Sequence, residues 1–126
     1  MRDRQTVLVV EDDPAARRLY RTALTFAGFS VIEADDAITA LRFLDQDSPD
    51  IVVLDLMLPT LSGLAVQQEI AAHPHTANIP VVIVTGSDMN LDHVAVPCVL
   101  RKPVSPEHLV ATVKQCLASG ARGIPS

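Results

Sequence analysis

The 126-residue sequence lacks both a long apolar run and a cluster of basic residues. Its first apolar run, Val7–Val10, is too short for the core of a signal peptide, and no later run approaches the roughly 20 residues of a membrane helix. Ten Lys and Arg face fifteen Asp and Glu, and no basic run is available to neutralise a nucleic-acid backbone. We therefore expect a cytoplasmic protein that contacts neither nucleic acid nor membrane directly.

Cysteine is scarce as well. Cys98 and Cys116 are far apart and show neither metal-ligand nor redox spacing, so we interpret them as two reduced thiols that pack like small hydrophobic side chains. His73 and His75 flank Pro74 in a predicted loop, and a surface position explains them. These residues are assigned no role.

Short β-branched runs alternate with helical patterns along the chain. The runs at 51–54 and 79–84 are apolar without alternation, which is typical of parallel strands covered by helices on both faces. Asp13 before Pro14 predicts the start of a helix, and Gly28 predicts its end. Five strands are predicted, at residues 6–10, 29–33, 51–54, 79–84 and 98–100.

This alternation predicts an α/β fold. With right-handed crossovers it gives a (βα)5 doubly wound, flavodoxin-like parallel sheet of strand order 2-1-3-4-5. With 48 % hydrophobic residues and no linker composition, we expect one domain over residues 1–126. Its core should span about 5–118, followed by a short C-terminal tail, 119–126.

Polar residues follow four of the predicted strands. Glu11 and Asp12 follow the first strand, Asp55 the third, Thr85 the fourth and Lys102 the fifth. The carboxyl ends of parallel strands share one edge, where ligands bind in open sheets, so these residues should converge. Three carboxylates repel one another unless a cation lies between them. Oxygen ligands without His or Cys favour Mg²⁺ over zinc.

Such a site is suited to phosphoryl transfer. Asp55, held ionised, would be the nucleophile, while Lys102 and the Thr85 hydroxyl pair with phosphoryl oxygens, so the expected product is an aspartyl phosphate. Each residue also has a simpler interpretation: Asp55 as a turn acid, Thr85 as a helix cap and Lys102 as a surface lysine. These separate interpretations do not explain why all of the residues fall at the same edge of the sheet, so a common function is favoured.

Two segments resemble the receiver domains of bacterial response regulators. The segment VVEDD is similar to the acidic motif after the first strand, with Glu11 in the first acid position and Asp12 as the direct metal ligand. The segment VLDLMLPTLSG resembles the phosphoacceptor segment of that family. The resemblance implies that Asp55 is the acceptor and that Met57 lends a backbone carbonyl to the metal.

The resemblance extends to the last two strands. Thr85-Gly86 matches the switch threonine and the small residue after it, and Lys102-Pro103 matches a pair whose peptide bond is usually cis. It implies a phosphoacceptor that assists its own phosphorylation and dephosphorylation, rather than an enzyme. The implied partners are a histidine kinase or histidine phosphotransfer protein and a downstream protein target, and a phosphorylation-dependent dimer is left open.

The sequence departs from this family at two places. Val99 stands where a Tyr or Phe is common, and only sixteen residues separate Thr85 from Lys102. The fourth helix is therefore predicted to be short or missing. In that family the aromatic side chain rotates on phosphorylation, and Val99 has no ring that could do so. We therefore predict that the conformational change that signals phosphorylation is centred on residues 86–97 instead.

Three other functions are compatible with an acidic residue at the end of a strand. An aspartyl-phosphate phosphatase needs a second acid two residues after its nucleophile, where this chain has Met57. A flavin-binding protein needs a phosphate loop after the first strand, where Glu-Asp-Asp would repel a phosphate. A pseudo-receiver, which is not phosphorylated and acts only as a protein-interaction module, remains the alternative.

Overall fold

The computed structural model describes residues 4–59, 61–86 and 98–119. The described elements, in chain order, are β1 (Thr6–Val10), α1 (Pro14–Phe26), β2 (Ser30–Ala34), α2 (Ala37–Asp47), β3 (Ile51–Asp55), α3 (Gly63–Ala72), β4 (Val81–Thr85), β5 (Cys98–Arg101) and α4 (Pro106–Ser119). The prediction of a short or missing fourth helix falls on residues 87–97, outside the described residues. Residues 120–126 of the predicted tail also lie outside them.

The five strands form one parallel sheet in the order β2-β1-β3-β4-β5, which confirms the predicted topology. The register pairs Val10 of β1 with Leu54 of β3, and it pairs Thr85 of β4 with Arg101 of β5. The carboxyl ends of these strands are therefore level. Side chains that follow them meet at one edge of the sheet.

Two apolar layers cover the sheet, one on each face. Val7 and Val9 of β1 pack in the layer under α1 and α4, whereas Leu8 and Val10 pack in the layer under α2 and α3. Successive side chains of a strand point to opposite faces, so a strand buried on both faces needs apolar residues at every position. Among the described residues, no helix has both the length and the apolar character needed to cross a membrane.

Local signals account for the helix ends. The Asp13 side chain accepts a hydrogen bond from the Ala15 N–H, and Pro14 opens α1, as predicted. Gly28 adopts φ 104°, a left-handed conformation that glycine tolerates at a helix end. Phe29 was predicted as the first residue of a strand, but its N–H bonds back to the Leu24 carbonyl in α1. The strand β2 consequently starts one residue later.

The start of β4 also differs from the prediction. Ile79 was predicted to begin the strand, but its N–H donates to the Thr76 carbonyl in a turn. Pro80 has no N–H to give to the sheet. The strand therefore begins at Val81.

The two cysteines are paired. The structure joins Cys98 of β5 to Cys116 of α4 as a disulfide and describes no free cysteine. The interpretation of two unrelated reduced thiols was therefore wrong. Spacing in the sequence could not reveal the pair, because the return of α4 onto the edge strand brings the two residues together.

Candidate functional site

The predicted polar residues gather at the carboxyl edge of the sheet. Glu11 follows β1 directly, Asp55 and Thr85 end β3 and β4, and Lys102 follows β5. The Lys102 N–H donates to the Thr85 carbonyl at 2.8 Å, which ties the ends of the last two strands together. The parallel register, rather than any local sequence feature, brings these residues to one place.

One ammonium group lies between two buried carboxylates. Nζ of Lys102 is 3.0 Å from Oε1 of Glu11 and 3.4 Å from Oδ2 of Asp55. Glu11 is 1 % exposed and Asp55 is 2 % exposed, whereas the Lys102 side chain is 29 % exposed. A single ammonium group thus faces two carboxyl groups that have little access to water.

A third carboxylate completes an acidic cluster. Glu11, Asp12 and Asp55 each place a carboxylate oxygen within 4.8 Å of the others, and Asp12 is exposed to solvent. Oε1 of Glu11 is buried, and the Lys102 ammonium lies 3.0 Å from it. Buried polar atoms normally have a hydrogen-bond partner or a metal. The donor set, three carboxylates with hard oxygen ligands beside a single ammonium, fits Mg²⁺.

Burial governs the electrostatics of this cluster. Loss of hydration and, to a smaller extent, the neighbouring Asp55 together raise the pKa of Glu11 to about 7, even though Lys102 and the Asp13 N–H favour its ionised form. Burial opposes the charged form of Lys102, but Glu11 and Asp55 outweigh it and raise its pKa. Near neutral pH, Glu11 is therefore partly protonated. A dication beside it would favour full ionisation.

The Asp55 carboxylate is held at both oxygens. Oδ1 accepts a hydrogen bond from the Met57 N–H at 3.0 Å, and Oδ2 faces Lys102. Met57 occupies the position at which a phosphatase of the aspartyl-phosphate type would carry its second acid, and its side chain is 61 % exposed. The geometry thus holds the Asp55 carboxylate in one orientation and places no second acid at the Met57 position.

The loop after β3 depends on Gly63, which begins α3. The Gly63 N–H donates to the Leu56 carbonyl at 3.0 Å. A Cβ atom added there would lie 2.6 Å from the Leu56 Cα atom, and it would also collide with the Asp55 carbonyl oxygen. Both are backbone atoms of the segment that carries Asp55, so neither can rotate away.

We expect Gly63→Ala to destabilise the protein by about 1–3 kcal/mol, because the new methyl group forces the Asp55–Leu56 backbone to move. Urea denaturation of the two proteins measures the difference in the free energy of unfolding. Ala65→Ser is a control in the same helix that adds one atom away from this contact. Equal stability of Gly63→Ala and the wild type would contradict the close approach.

Sequence reasoning missed one residue that positions the site. Arg17 of α1 donates from Nη1 to the Glu11 backbone carbonyl at 2.9 Å, and its Nε lies 3.3 Å from Glu33 in β2. The Asp13 N–H also donates to Oε2 of Glu11 at 3.1 Å. A basic residue one turn after the cap of α1 was the available signal. Its contact with the strand end depends on how α1 packs on the sheet.

The end of β5 agrees with the motif in one respect and departs from it in another. The peptide bond between Lys102 and Pro103 is cis, as the resemblance implied. Val99 is 38 % exposed on β5. Because its side chain is aliphatic, it has no aromatic ring that could exchange between a buried and an exposed position. The conformational change is predicted for residues 86–97, and of these the structure describes only Gly86.

Comparison with known proteins agrees with this geometry. A family model described as "Response regulator receiver domain" matches residues 7–114. The chain belongs to this receiver domain family. The crystal structure of a CheY-like response regulator receiver domain protein from Methanospirillum hungatei JF-1 superimposes with a TM-score of 0.86, covering 94 % of this chain and 97 % of that one. At 24 % identity, this likeness shows the fold alone.

Two curated relatives extend the comparison. The chain is 34 % identical to Response regulator MprA of Mycobacterium leprae (strain TN) over 116 residues, which cover 88 % of this chain and 50 % of the relative. It is 32 % identical to Probable transcriptional regulator ycf27 of Guillardia theta over 124 residues, which cover 90 % of this chain and 46 % of the relative. The receiver domain described here spans about half the length of these relatives.

Proposed function

We propose that this receiver domain accepts a phosphoryl group on Asp55 in a Mg²⁺-dependent reaction and signals the change to a partner protein. One observation carries the proposal: the buried Asp55 carboxylate has one oxygen 3.4 Å from the Lys102 ammonium and belongs to a cluster of three carboxylates. The donor would be the phosphohistidine of a histidine kinase or of a histidine phosphotransfer protein.

The chemistry is a direct phosphoryl transfer. An oxygen of Asp55 forms a bond to phosphorus while the bond from phosphorus to the donor histidine nitrogen breaks, so the imidazole leaves with the electron pair. Lys102 and the Thr85 hydroxyl would neutralise and position the phosphoryl oxygens. Since each molecule is itself modified, the domain acts as a phosphoacceptor rather than as an enzyme.

Four groups would hold the metal: the carboxylates of Glu11, Asp12 and Asp55, and the backbone carbonyl of Met57. Bound there, Mg²⁺ would supply positive charge that offsets the carboxylates and the incoming phosphoryl group. Glu11 would then contribute as an anion, because a neighbouring dication lowers the pKa that burial raises. Asp12, which is exposed, would contribute at the open side of the site.

Asp12→Ala should weaken Mg²⁺ binding and slow phosphorylation by acetyl phosphate together, since Asp12 is proposed to bind the metal directly. Calorimetric titration with Mg²⁺ measures the metal affinity. Mass spectrometry over time measures the phosphorylation rate as the increase in mass that acid treatment removes. The wild type should not be phosphorylated in excess chelator.

Asp13→Ala is the matched control, because it removes the neighbouring acid. Its side chain caps α1, so this variant should lose about 1 kcal/mol of stability and keep its Mg²⁺ affinity. If the wild type binds no Mg²⁺, or is phosphorylated equally well in chelator, the metal-dependent reaction is ruled out. A wild type that no donor phosphorylates would favour the pseudo-receiver alternative.

The signalling change and the location of the protein remain predictions. Because Val99 cannot rotate as an aromatic residue does, we propose that partners recognise a change centred on residues 86–97 and the adjacent edge of α1. The Cys98–Cys116 pair also ties β5, the strand that carries Val99, to α4. A cytoplasmic site of action, where phosphohistidine donors would be met, is expected.

A further inference from the structure

We propose a zinc site formed by Asp45, Glu69, His73 and His75. Asp45 lies in the last turn of α2, Glu69 lies in α3, His73 caps α3, and His75 follows in the next loop. These helices run back from the carboxyl edge of the sheet, so their C-terminal ends lie near the amino ends of the strands. The cluster is therefore at the opposite edge from Asp55.

Each histidine already faces one carboxylate. Nε2 of His73 is 2.9 Å from Oε1 of Glu69, and Nε2 of His75 is 3.4 Å from Oδ1 of Asp45. With bonds of about 2.1 Å, two ligand atoms on one zinc ion are about 3.0–3.4 Å apart. Both pairs thus have a spacing close to that of neighbouring ligands of a single ion.

The two pairs lie beside each other. The ring centroids of His73 and His75 are 5.9 Å apart with their planes tilted by 52°, whereas two imidazoles on a tetrahedral zinc have centroids about 5 Å apart. In the structure, no three of the four side chains yet place their ligand atoms within 4.8 Å of one another. The four side chains must therefore move closer together to share one ion. Because every one of these side chains is more than half exposed, packing does not oppose that shift.

The backbone that carries the two histidines is ordered by hydrogen bonds. Thr76 is buried, and its hydroxyl donates to the Ile70 carbonyl at 2.8 Å. The N–H groups of Thr76 and Ala77 both donate to the His73 carbonyl, at 3.0 and 2.8 Å. The loop is thus held against α3 before any metal arrives, which lowers the entropy lost on binding.

The chemistry of the cluster is suited to zinc. The four side chains line a cleft of about 480 Å³ between α2 and α3, together with one guanidinium group, that of Arg42. Two carboxylates against one guanidinium leave a net negative charge for a dication. Two imidazole nitrogens and two carboxylate oxygens are zinc ligands, and four protein ligands are typical of a structural site. The ion would brace α2 against the loop after α3.

Calorimetric titration with ZnCl₂ tests this site, with saturating Mg²⁺ present to occupy the acidic cluster around Asp55. The wild type should bind one Zn²⁺ per chain and melt at a higher temperature with zinc than without it. A double variant, His73→Asn with His75→Asn, should weaken zinc binding by more than about tenfold. His108→Asn, which removes an exposed histidine from α4, should bind zinc like the wild type.

Glu69→Gln provides a second variant that keeps the size of the side chain. It should also weaken zinc binding while leaving the melting temperature of the zinc-free protein unchanged, because an exposed contact between two polar side chains contributes little stability. Equal zinc affinity in the wild type and the double histidine variant would overturn the proposal. Absence of zinc binding in the wild type would do so as well, and the two pairs would then be ordinary surface ion pairs.

Discussion

Asp55→Asn should eliminate acid-labile phosphorylation while leaving the fold intact. The amide retains an oxygen to accept the Met57 N–H, but it cannot act as the nucleophile. It also removes one of two buried carboxylates that share a single ammonium, so the melting temperature without Mg²⁺ should rise. Mass spectrometry after incubation with acetyl phosphate, together with thermal melts in chelator, measures the two effects.

Asp47→Asn is the matched control for this substitution. Asp47 ends α2 at the opposite edge of the sheet and is exposed, so the control should take up phosphoryl groups at the wild-type rate. If Asp55→Asn retained wild-type phosphorylation, the acceptor would have to be another residue. A lower melting temperature in chelator would instead mean that the Asp55–Lys102 ion pair outweighs the repulsion between the carboxylates.

Lys102→Ala should slow phosphorylation by about a hundredfold, the typical cost of losing one charged group that stabilises the transition state. Its ammonium faces Glu11 and Asp55, the same groups that would hold Mg²⁺, so its removal should leave the metal affinity unchanged or raise it. The metal-free variant should also lose stability, because two buried carboxylates then have no counter-charge. Added Mg²⁺ should restore much of that stability.

Stopped-flow phosphorylation, Mg²⁺ titration and thermal melts separate these effects of Lys102→Ala. The matched control is Lys114→Ala, since Lys114 is the only other lysine in the chain and is exposed on α4. It should match the wild type in all three measurements. Parallel losses of Mg²⁺ affinity and phosphorylation rate in Lys102→Ala would indicate a mainly structural role.

Local chemistry explains which features could be predicted. The cap at Asp13, the following Pro14 and the left-handed Gly28 act within a few residues, so α1 was recognisable from the sequence. The start of β4 was misplaced because it depends on a turn closed by Thr76 and on Pro80. Strand order followed from short connections and handed crossovers, which restrict how consecutive strands can be arranged.

The candidate site was only partly predictable. Its residue types and their common edge follow from position along the chain, because every strand in a parallel sheet ends on the same side. Position along the chain does not reveal the burial of Glu11, the contact of Arg17 with the Glu11 carbonyl or the orientation of Lys102. They depend on how α1 and the loop after β5 pack against the strand ends. The raised pKa of Glu11 is a consequence of that packing.

The α/β class, the strand order and the acidic residues at the carboxyl edge of the sheet could therefore all be predicted from the order of residues along the chain. The contacts between distant side chains, such as Cys98 with Cys116 and His75 with Asp45, became apparent only in the folded chain. The difference arises from the distance along the chain over which each effect acts. Propensity, capping and hydrophobic period act over a few neighbouring residues, whereas these pairs form when helices fold back onto the sheet and set the distance between residues far apart in the chain.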